Sequence, residues 1–288
     1  MDGSGRVVIA AVFSDAGPFC EGLACARKGG QWGFIDAGAN WAIAPLFDDC
    51  HDFSEGTAAV SRDGNWWLID RQGMALFSQR YAALRSLAGG LCAAAGEKGK
   101  WGYIGANGLW RILPEYDDAF DFSDGLARVV LGEQTGFVDA AGALAPIGWV
   151  EDAADFSEGL APVRNGSFWH FTMRNGLVQV GPGWLDARSF HEGLAAVRSP
   201  VGWGYMDTSG RTVIAQQFGN AQDFHEGLAA VAQQTGRGLL WGLADWHGRM
   251  AVQPQFDAVL PMRAGLASAV FRGSPVVLNR AGQLIFPQ

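Results

Sequence analysis

The stretch "DFHEGLAAV" (Asp223–Val231) repeats "SFHEGLAAV" (Ser189–Val197) at a distance of 34 residues. Its phenylalanine position is filled eight times along the chain, by Phe19, Phe53, Leu87, Phe122, Phe156, Phe190, Phe224 and Met262. The interval is 34 or 35 residues until the last, which is 38. A fixed period in this range is typical of tandem-repeat proteins, in which each unit packs against its neighbours. The sequence therefore predicts eight repeats.

A second motif follows each copy of the first. It reads "WGFID" from Trp32, "WWLID" from Trp66, "WGYIG" from Trp101, "WGYMD" from Trp203 and "WGLAD" from Trp241, with weaker versions from Thr135, Trp169 and Pro275. A glycine usually stands seven residues after the first position, as at Gly73 and Gly210. This D-x-x-G spacing predicts a hairpin turn in which the aspartate accepts a backbone N–H and the glycine adopts a positive φ.

A third segment, such as "RTVIAQQF", follows the turn and ends in an aromatic position: Phe47, Tyr81, Tyr116, Trp184, Phe218 and Phe256, with Val150 the exception. The beginning of the chain, "GRVVIAAVFSDAGPF" (Gly5–Phe19), matches "GRTVIAQQFGNAQDF" (Gly210–Phe224) position for position. We therefore interpret the apolar run Arg6–Phe13 as a repeat strand and not as a signal peptide. No apolar run approaches the roughly 20 residues of a membrane span.

Together these motifs resemble the WG-repeat family, also called KWG repeats, whose units read roughly "GyID..G..vi.P.fd.a.dFseGlA.V". The resemblance extends from about Gly5 to Phe286, and units four, five and eight depart most from the pattern. The resemblance implies membership of a mostly bacterial family whose repeats serve as binding modules.

The predicted fold is all-β, with eight short β-meanders forming a single repeat domain over residues 1–288. Eight similar units without an evident polar cap favour a closed, propeller-like ring. The alternative is an open, curved β-solenoid. In its favour, "GRVVI" at the start and "GQLIF" at the end correspond to the same segment of the repeat, whereas simple closure of a ring needs only one copy of that segment.

Composition limits the partners. Lys and Arg number 21 and Asp and Glu 29, so the net charge is −8 and the chain repels nucleic acid and anionic membranes. A basic protein partner is the better expectation. The four cysteines, Cys20, Cys25, Cys50 and Cys92, show no metal-ligand or disulfide-framework spacing. We expect a reducing compartment and a cytoplasmic location.

Several repeated or unusual polar residues invite a catalytic interpretation. A carboxylate recurs at Glu21, Glu55, Asp124, Glu158, Glu192 and Glu226, and a residue repeated in most units is expected to accept turn N–H groups, whereas catalysis needs a local, asymmetric pair. His191 and His225 occupy equivalent positions but lack a third ligand with metal-site spacing. His170, beside aromatic residues, is expected in the core. We predict no catalytic residue, metal or cofactor.

Five aromatic or basic positions outside the repeated columns are candidates for partner binding. Trp41 and Trp110 share a position just after the hairpin turn, and aromatic residues there can stack on sugars or anchor a protein. The alternative is that they cover the edge of the neighbouring unit. Four extra residues around "AQQTGRGLLWGL" place Arg237 between glycines, and Trp246 and His247 follow in the next turn. We hypothesise that this loop and the Trp246–His247 turn contact the partner.

The leading functional prediction is a non-enzymatic protein-interaction module, such as a bacterial adaptor or an immunity protein that neutralises a basic toxin. The alternative is a lectin-like or small-ligand binder that uses the turn aromatics, with carbohydrate as a possible ligand class. An enzyme ranks third, because no set of residues meets the usual criteria for an active site.

Overall fold

The computed structural model of the chain describes Ile9 and residues 12–285, apart from the side chains of residues 178–182. Within that part of the chain there are 30 β-strands and no helix, and hence no helix that could cross a membrane. Most of the predicted strand in Arg6–Phe13 lies outside the described residues, as does Phe286. The chain divides into two compact units, Ile9–Trp149 and residues from Val150 onward.

The first unit contains four antiparallel sheets, each a meander of consecutive strands that we call a blade. Blade one consists of β1 (Asp15–Cys20), β2 (Leu23–Lys28), β3 (Gln31–Ile35) and β4 (Trp41–Phe47). Blade two consists of β5 (Asp49–Cys50), β6 (Ala58–Arg62) and β7 (Asn65–Ile69). Blade three consists of β8 (Ala83–Ala88), β9 (Leu91–Ala95), β10 (Trp101–Gly105) and β11 (Trp110–Tyr116). Blade four consists of β12 (Asp118–Ser123), β13 (Leu126–Leu131) and β14 (Gln134–Val138).

The second unit contains four blades of four strands each. Blade five consists of β15 (Asp152–Ala153), β16 (Leu160–Asn165), β17 (Phe168–Met173) and β18 (Val178–Trp184). Blade six consists of β19 (Asp186–Ala187), β20 (Leu194–Ser199), β21 (Gly202–Asp207) and β22 (Thr212–Phe218). Blade seven consists of β23 (Asn220–His225), β24 (Leu228–Thr235), β25 (Gly238–Ala244) and β26 (Met250–Phe256). Blade eight consists of β27 (Ala258–Val259), β28 (Leu266–Phe271), β29 (Ser274–Asn279) and β30 (Leu284–Ile285).

The predicted fold class is confirmed: the protein is all-β and built from eight repeated meanders. Four-stranded antiparallel blades in chain order are the building unit of β-propellers. Closure of the blades into a ring, and a single domain over residues 1–288, stay predictions.

Glycine stands at the second position of the WG motif for a steric reason. A methyl group placed at Gly33, Gly102 or Gly204 would lie 2.4–2.6 Å from a carbonyl oxygen of the fourth strand of the same blade. In blade six that oxygen belongs to Ile214, and the β21–β22 register shifts on both sides of this point. A larger residue here must be met by a change in the fourth strand.

Two blades show what happens when this glycine is replaced. In blade two Trp67 stands at the position, and residues 74–81 form no regular strand. They pair with β7 through the isolated bridges Trp66–Tyr81 and Ile69–Ala75 and through a hydrogen bond from the Leu76 N–H to the Leu68 carbonyl at 3.0 Å. In blade five His170 stands there, and the opposite strand supplies Gly183, whose φ is 79° and where a methyl group would lie 3.2 Å from His170 Cε1. A missing WG glycine is thus accommodated in the fourth strand.

Aromatic pairs join neighbouring blades. The residue two places after the motif tryptophan packs against the recurring phenylalanine of the next blade, with ring centroids 4.8–5.0 Å apart in Phe34–Phe53, Tyr103–Phe122, Phe171–Phe190 and Tyr205–Phe224. The hydroxyl of Tyr205 also donates to the Gln222 carbonyl at 2.7 Å. Tilted and edge-to-face pairs of this kind add stability beyond the apolar area they bury.

The cysteines correct one expectation. Cys25 and Cys50 form a disulfide, with Cα atoms 6.7 Å apart, although their spacing in sequence predicted no framework. The pair joins β2 of blade one to β5 of blade two, so only the stacking of the repeats brings the two residues together. Cys92 is buried, and burial raises the pKa of its thiol to about 12.

Candidate functional site

The recurring glutamates join the blades. Each lies at a φ of 51–55° in the tight turn between the first two strands of its blade, and a glycine with positive φ follows it. The carboxylates of Glu21, Glu55, Glu158, Glu192 and Glu226 accept backbone N–H groups in the equivalent turn of the next blade, at Gly56, Gly89, Gly193, Gly227 and Gly265. The prediction that these residues bind turn N–H groups is confirmed, and the turn belongs to the following blade.

The D-x-x-G turns are also as predicted. Asp36 Oδ1 accepts the backbone N–H groups of Gly38 and Asn40, both at 2.9 Å, although Ala39, at a φ of 63°, replaces the final glycine in this turn. Equivalent bonds are made by Asp70, Asp139, Asp207, Asp245 and Asn279. Hydrogen bonds from the backbone and side chain of Asn40 hold the pKa of Asp36 below its ordinary value. The repeated polar residues therefore serve the fold, and positions that depart from the repeat are the better candidates for function.

Trp41 and Trp110 pack against the preceding repeat. The Trp41 ring meets Phe13 edge-on with centroids 5.5 Å apart, and the Trp110 ring meets Tyr81 in the same way at 5.4 Å. Phe13 and Tyr81 occupy the closing aromatic position of the preceding repeat. Both tryptophans are half-buried, which is the geometry that the edge-covering alternative describes.

Trp246 has a different environment. Its side chain is 51% exposed, and it is the one tryptophan of the described residues with a largely exposed ring. The indole lies beside the turn of its own blade, because a methyl group at Gly227 would be 3.9 Å from the ring. Arg280 of blade eight approaches the same glycine, with Nη2 3.6 Å from that methyl position, and its Nη1 lies 3.7 Å from Glu226 Oε2.

The turn that carries Trp246 is held by Asp245. Its Oδ1 accepts the backbone N–H groups of His247 and Arg249 at 2.8 and 2.9 Å. Burial raises the pKa of Asp245, but these two hydrogen bonds and the charges of His247 and Arg249 together outweigh it, so the pKa lies below its ordinary value. The carboxylate is therefore ionised at neutral pH and fixes the backbone on which Trp246 and His247 stand.

Arg237 lies elsewhere. The four extra residues do not form a flexible loop: they lengthen the β24–β25 hairpin, whose ladder continues through Gln233–Leu240 and Gln234–Leu239 to Thr235–Gly238. Arg237 occupies the tip, where its N–H donates to Thr235 Oγ1 at 3.1 Å. Strand β25 separates this tip from the Trp246 turn by about 20 Å, at about 3.3 Å per residue. The structure does not bring Arg237 together with Trp246 and His247, and the hypothesis that both turns contact the partner stays a prediction.

His191 and His225 do meet. Their ring centroids are 5.3 Å apart, and His191 Nε2 lies 3.6 Å from Asp223 Oδ2. Burial raises the pKa of Asp223, although the positive groups His191, Arg188 and His225 act against it. No group of three or more His, Cys, Asp or Glu in the described part of the chain is arranged to hold a metal ion.

We define the Trp246 surface as Trp246, His247, Gly227 and Arg280. Sequence reasoning found the first two and missed the others. Arg280 could have been suspected, because Arg71 holds the equivalent position after the turn aspartate and its guanidinium approaches Gly22 in the same way, 3.6 Å from a methyl position there. The role of Gly227 depends on packing between two turns of blade seven, which no local pattern reveals.

Comparisons with known proteins agree with the fold. A family model described as a WG-containing repeat matches residues 1–32, 32–66, 101–134, 203–234 and 241–273, more than half of the chain. BamB from Moraxella catarrhalis is 10% identical, with 95% of this chain and 96% of that chain covered and a TM-score of 0.51. A eukaryotic initiation factor is 11% identical, with 91% and 83% covered and a TM-score of 0.61. These two likenesses show a shared fold. No curated protein matches the chain.

Proposed function

This chain belongs to the WG-repeat family, and on that premise we propose that it is a non-enzymatic protein-interaction module that binds a partner through the Trp246 surface. The observation that supports the proposal is the exposed indole of Trp246 on a turn fixed by Asp245. In the other repeats the tryptophans are buried or half-buried, whereas half of the Trp246 side chain is open to solvent.

The chemistry of this surface suits a protein contact. Tryptophan and arginine are enriched among residues that dominate binding energy, and Trp246 and Arg280 flank the same glycine. A turn already held by two hydrogen bonds loses little conformational entropy on binding. The net charge of −8 would attract a basic partner over a distance and disfavours nucleic acid and anionic membranes.

Within this class we propose a bacterial adaptor or a toxin-neutralising immunity protein. A cytoplasmic location belongs to the same proposal. The Cys25–Cys50 bond argues the other way, because disulfides persist mainly in oxidising compartments. Cell fractionation with an antibody against the protein decides between the cytoplasm and an oxidising compartment.

Affinity capture from native lysate followed by calorimetry tests the Trp246 surface. Once a stoichiometric partner is identified, Trp246→Ala should weaken the affinity at least tenfold, about 1.4 kcal/mol or more. Arg237→Ala is the matched control, because it removes an exposed side chain from the opposite end of the same blade. A correctly folded Trp246→Ala protein with unchanged affinity would place the contact elsewhere.

The second candidate function is a lectin-like or small-ligand binder. The same indole favours it, because an exposed aromatic ring beside polar groups can stack on a sugar. A glycan array separates the candidates: saturable binding to one glycan class that Trp246→Ala abolishes would support carbohydrate recognition in place of a protein partner.

A further inference from the structure

A cleft of about 740 Å³ lies in the first unit, between blades two and three. One wall is formed by Arg80 and Tyr81 of the irregular fourth segment of blade two, and the other by Trp110 and Pro114 of β11. The turn between β9 and β10, which carries Lys98, forms the rim. Its volume is in the range of small-ligand and peptide sites.

The cleft follows from one departure from the repeat. Trp67 replaces the WG glycine in blade two, and a side chain there occupies the space that the fourth strand crosses in blades one, three and six. The displaced segment is held instead by Arg80, whose Nη1 donates to the carbonyls of Ser78 and Gln79 at 2.9 and 3.0 Å and whose guanidinium lies 4.5 Å from the Trp67 ring. The opening is therefore a built feature of this blade.

Positive charge gathers at the cleft although the chain is acidic. Arg80, Lys98 and Lys100 line it, against the single acid Glu97. The ammonium of Lys100 binds Asp117. No carboxylate of the described residues forms an ion pair with Arg80 or Lys98. Arg80 and Lys98 thus line the opening without an ion-pair partner, and the lining carries a surplus of positive charge.

Apolar surface runs along the opposite wall. The half-buried Trp110 ring and Pro114 are four residues apart on β11, a span of about 13 Å. That length suits an extended chain more than a compact anion, because a chain can place an apolar side chain against the wall and carboxylates toward the rim at the same time.

We infer that the cleft binds an acidic, extended peptide segment of a partner protein, with its carboxylates at Arg80 and Lys98 and an apolar side chain against Trp110 and Pro114. This site is independent of the Trp246 surface. A chain with two such surfaces could hold two different proteins, which is what an adaptor requires.

Fluorescence anisotropy tests the inference with a short fluorescein-labelled peptide of glutamate, phenylalanine and serine, and with the same peptide carrying lysine in place of glutamate. The full-length protein should bind the glutamate peptide, more weakly as NaCl is raised, and should not bind the lysine peptide. Lys98→Glu should weaken binding about fivefold or more. Lys28→Glu changes the net charge equally at the end of β2, next to the corresponding turn of blade one, and should leave binding within about twofold, as should Trp246→Ala.

Three results would overturn the inference: equal binding of both peptides, equal loss in Lys98→Glu and Lys28→Glu, or no binding by the wild type at about millimolar protein, the range of very weak complexes. Because Lys98 is exposed on a turn, its variant is expected to fold, and circular dichroism checks this. None of these results bears on Trp246, so failure here leaves the proposed function to its own test.

Discussion

The carboxylate of Glu192 accepts hydrogen bonds from the backbone N–H groups of Glu226 and Gly227, at 2.6 and 2.8 Å, and so joins blade six to blade seven. Glu226 makes the next link, to Gly265 of blade eight, at 2.9 Å. A non-glycine residue at positive φ is costly, and the position suits glutamate because its side chain is long enough to reach the neighbouring turn. The repeat period is thus enforced by polar bonds at the turns as well as by the aromatic core.

Removing one such link should destabilise the protein modestly. Glu192→Ala leaves two backbone N–H groups of the next turn without their acceptor, and we expect a loss of about 1–2 kcal/mol in the free energy of unfolding, measured with urea. Glu133→Ala, on the exposed turn between β13 and β14, is the control and should change stability by less than about 0.5 kcal/mol. Equal effects would show that the link contributes nothing.

The motif tryptophan should matter far more than the exposed one. Trp203 is 6% exposed and packs in the core of blade six, so Trp203→Ala should cost about 3–5 kcal/mol. Trp246→Ala removes the same side chain from a 51% exposed position and should cost less than about 0.5 kcal/mol. Thermal melting compares the two; an unchanged midpoint in Trp203→Ala would contradict its place in the core.

The WG glycine should not tolerate a methyl group. Gly204→Ala places a carbon 2.4 Å from the Ile214 carbonyl oxygen, so the fourth strand must move, and we expect a loss of about 1–3 kcal/mol or more. Gly236→Ala is the matched control, since nothing lies within 4 Å of the added carbon. It should be neutral or slightly stabilising. If Gly204→Ala unfolds at the same urea concentration as the wild type, the steric account is wrong.

Asp223 gives the stability a distinct pH dependence. Burial raises its folded-state pKa above the ordinary value of 3.8, so between these two pKa values the folded protein binds more protons than the unfolded chain. The stability of the wild type relative to Asp223→Asn should therefore fall as the pH rises from below 3.8, and level off above the raised pKa. Urea unfolding of both proteins across this range measures the difference; a difference that grows with pH would reverse the sign and refute the shift.

Much of the fold could be predicted because its causes are local or periodic. The D-x-x-G turns depend on residues within four positions, and the columns repeat at a fixed interval, so both are visible in the sequence. The partner of Glu192, the Cys25–Cys50 bond and the approach of Arg280 to Gly227 depend on how one blade stacks on the next, which the sequence does not state. Trp67 was visible as an exception to the motif, but its consequence required the path of the fourth strand.

The candidate site was predicted only in part for a related reason. Trp246 and His247 were recognised because they stand in a turn whose chemistry is local. Arg237 was grouped with them because it is near in sequence. A seven-residue strand between the two turns places their side chains at opposite ends of the blade, a separation that proximity in sequence does not reveal.

Photochemical cross-linking tests the claim that the Trp246 surface binds a protein most directly. His247→p-benzoylphenylalanine places a photoreactive group beside the intact indole. As a control, Val201→p-benzoylphenylalanine places the same group in the turn between β20 and β21 of blade six, where the Val201 side chain is 79% exposed. After irradiation in native cells, the account predicts one dominant protein adduct at position 247, absent at position 201 and lost when Trp246→Ala is added. Equal adducts at both positions, or an adduct at 247 that Trp246→Ala leaves unchanged, would contradict it.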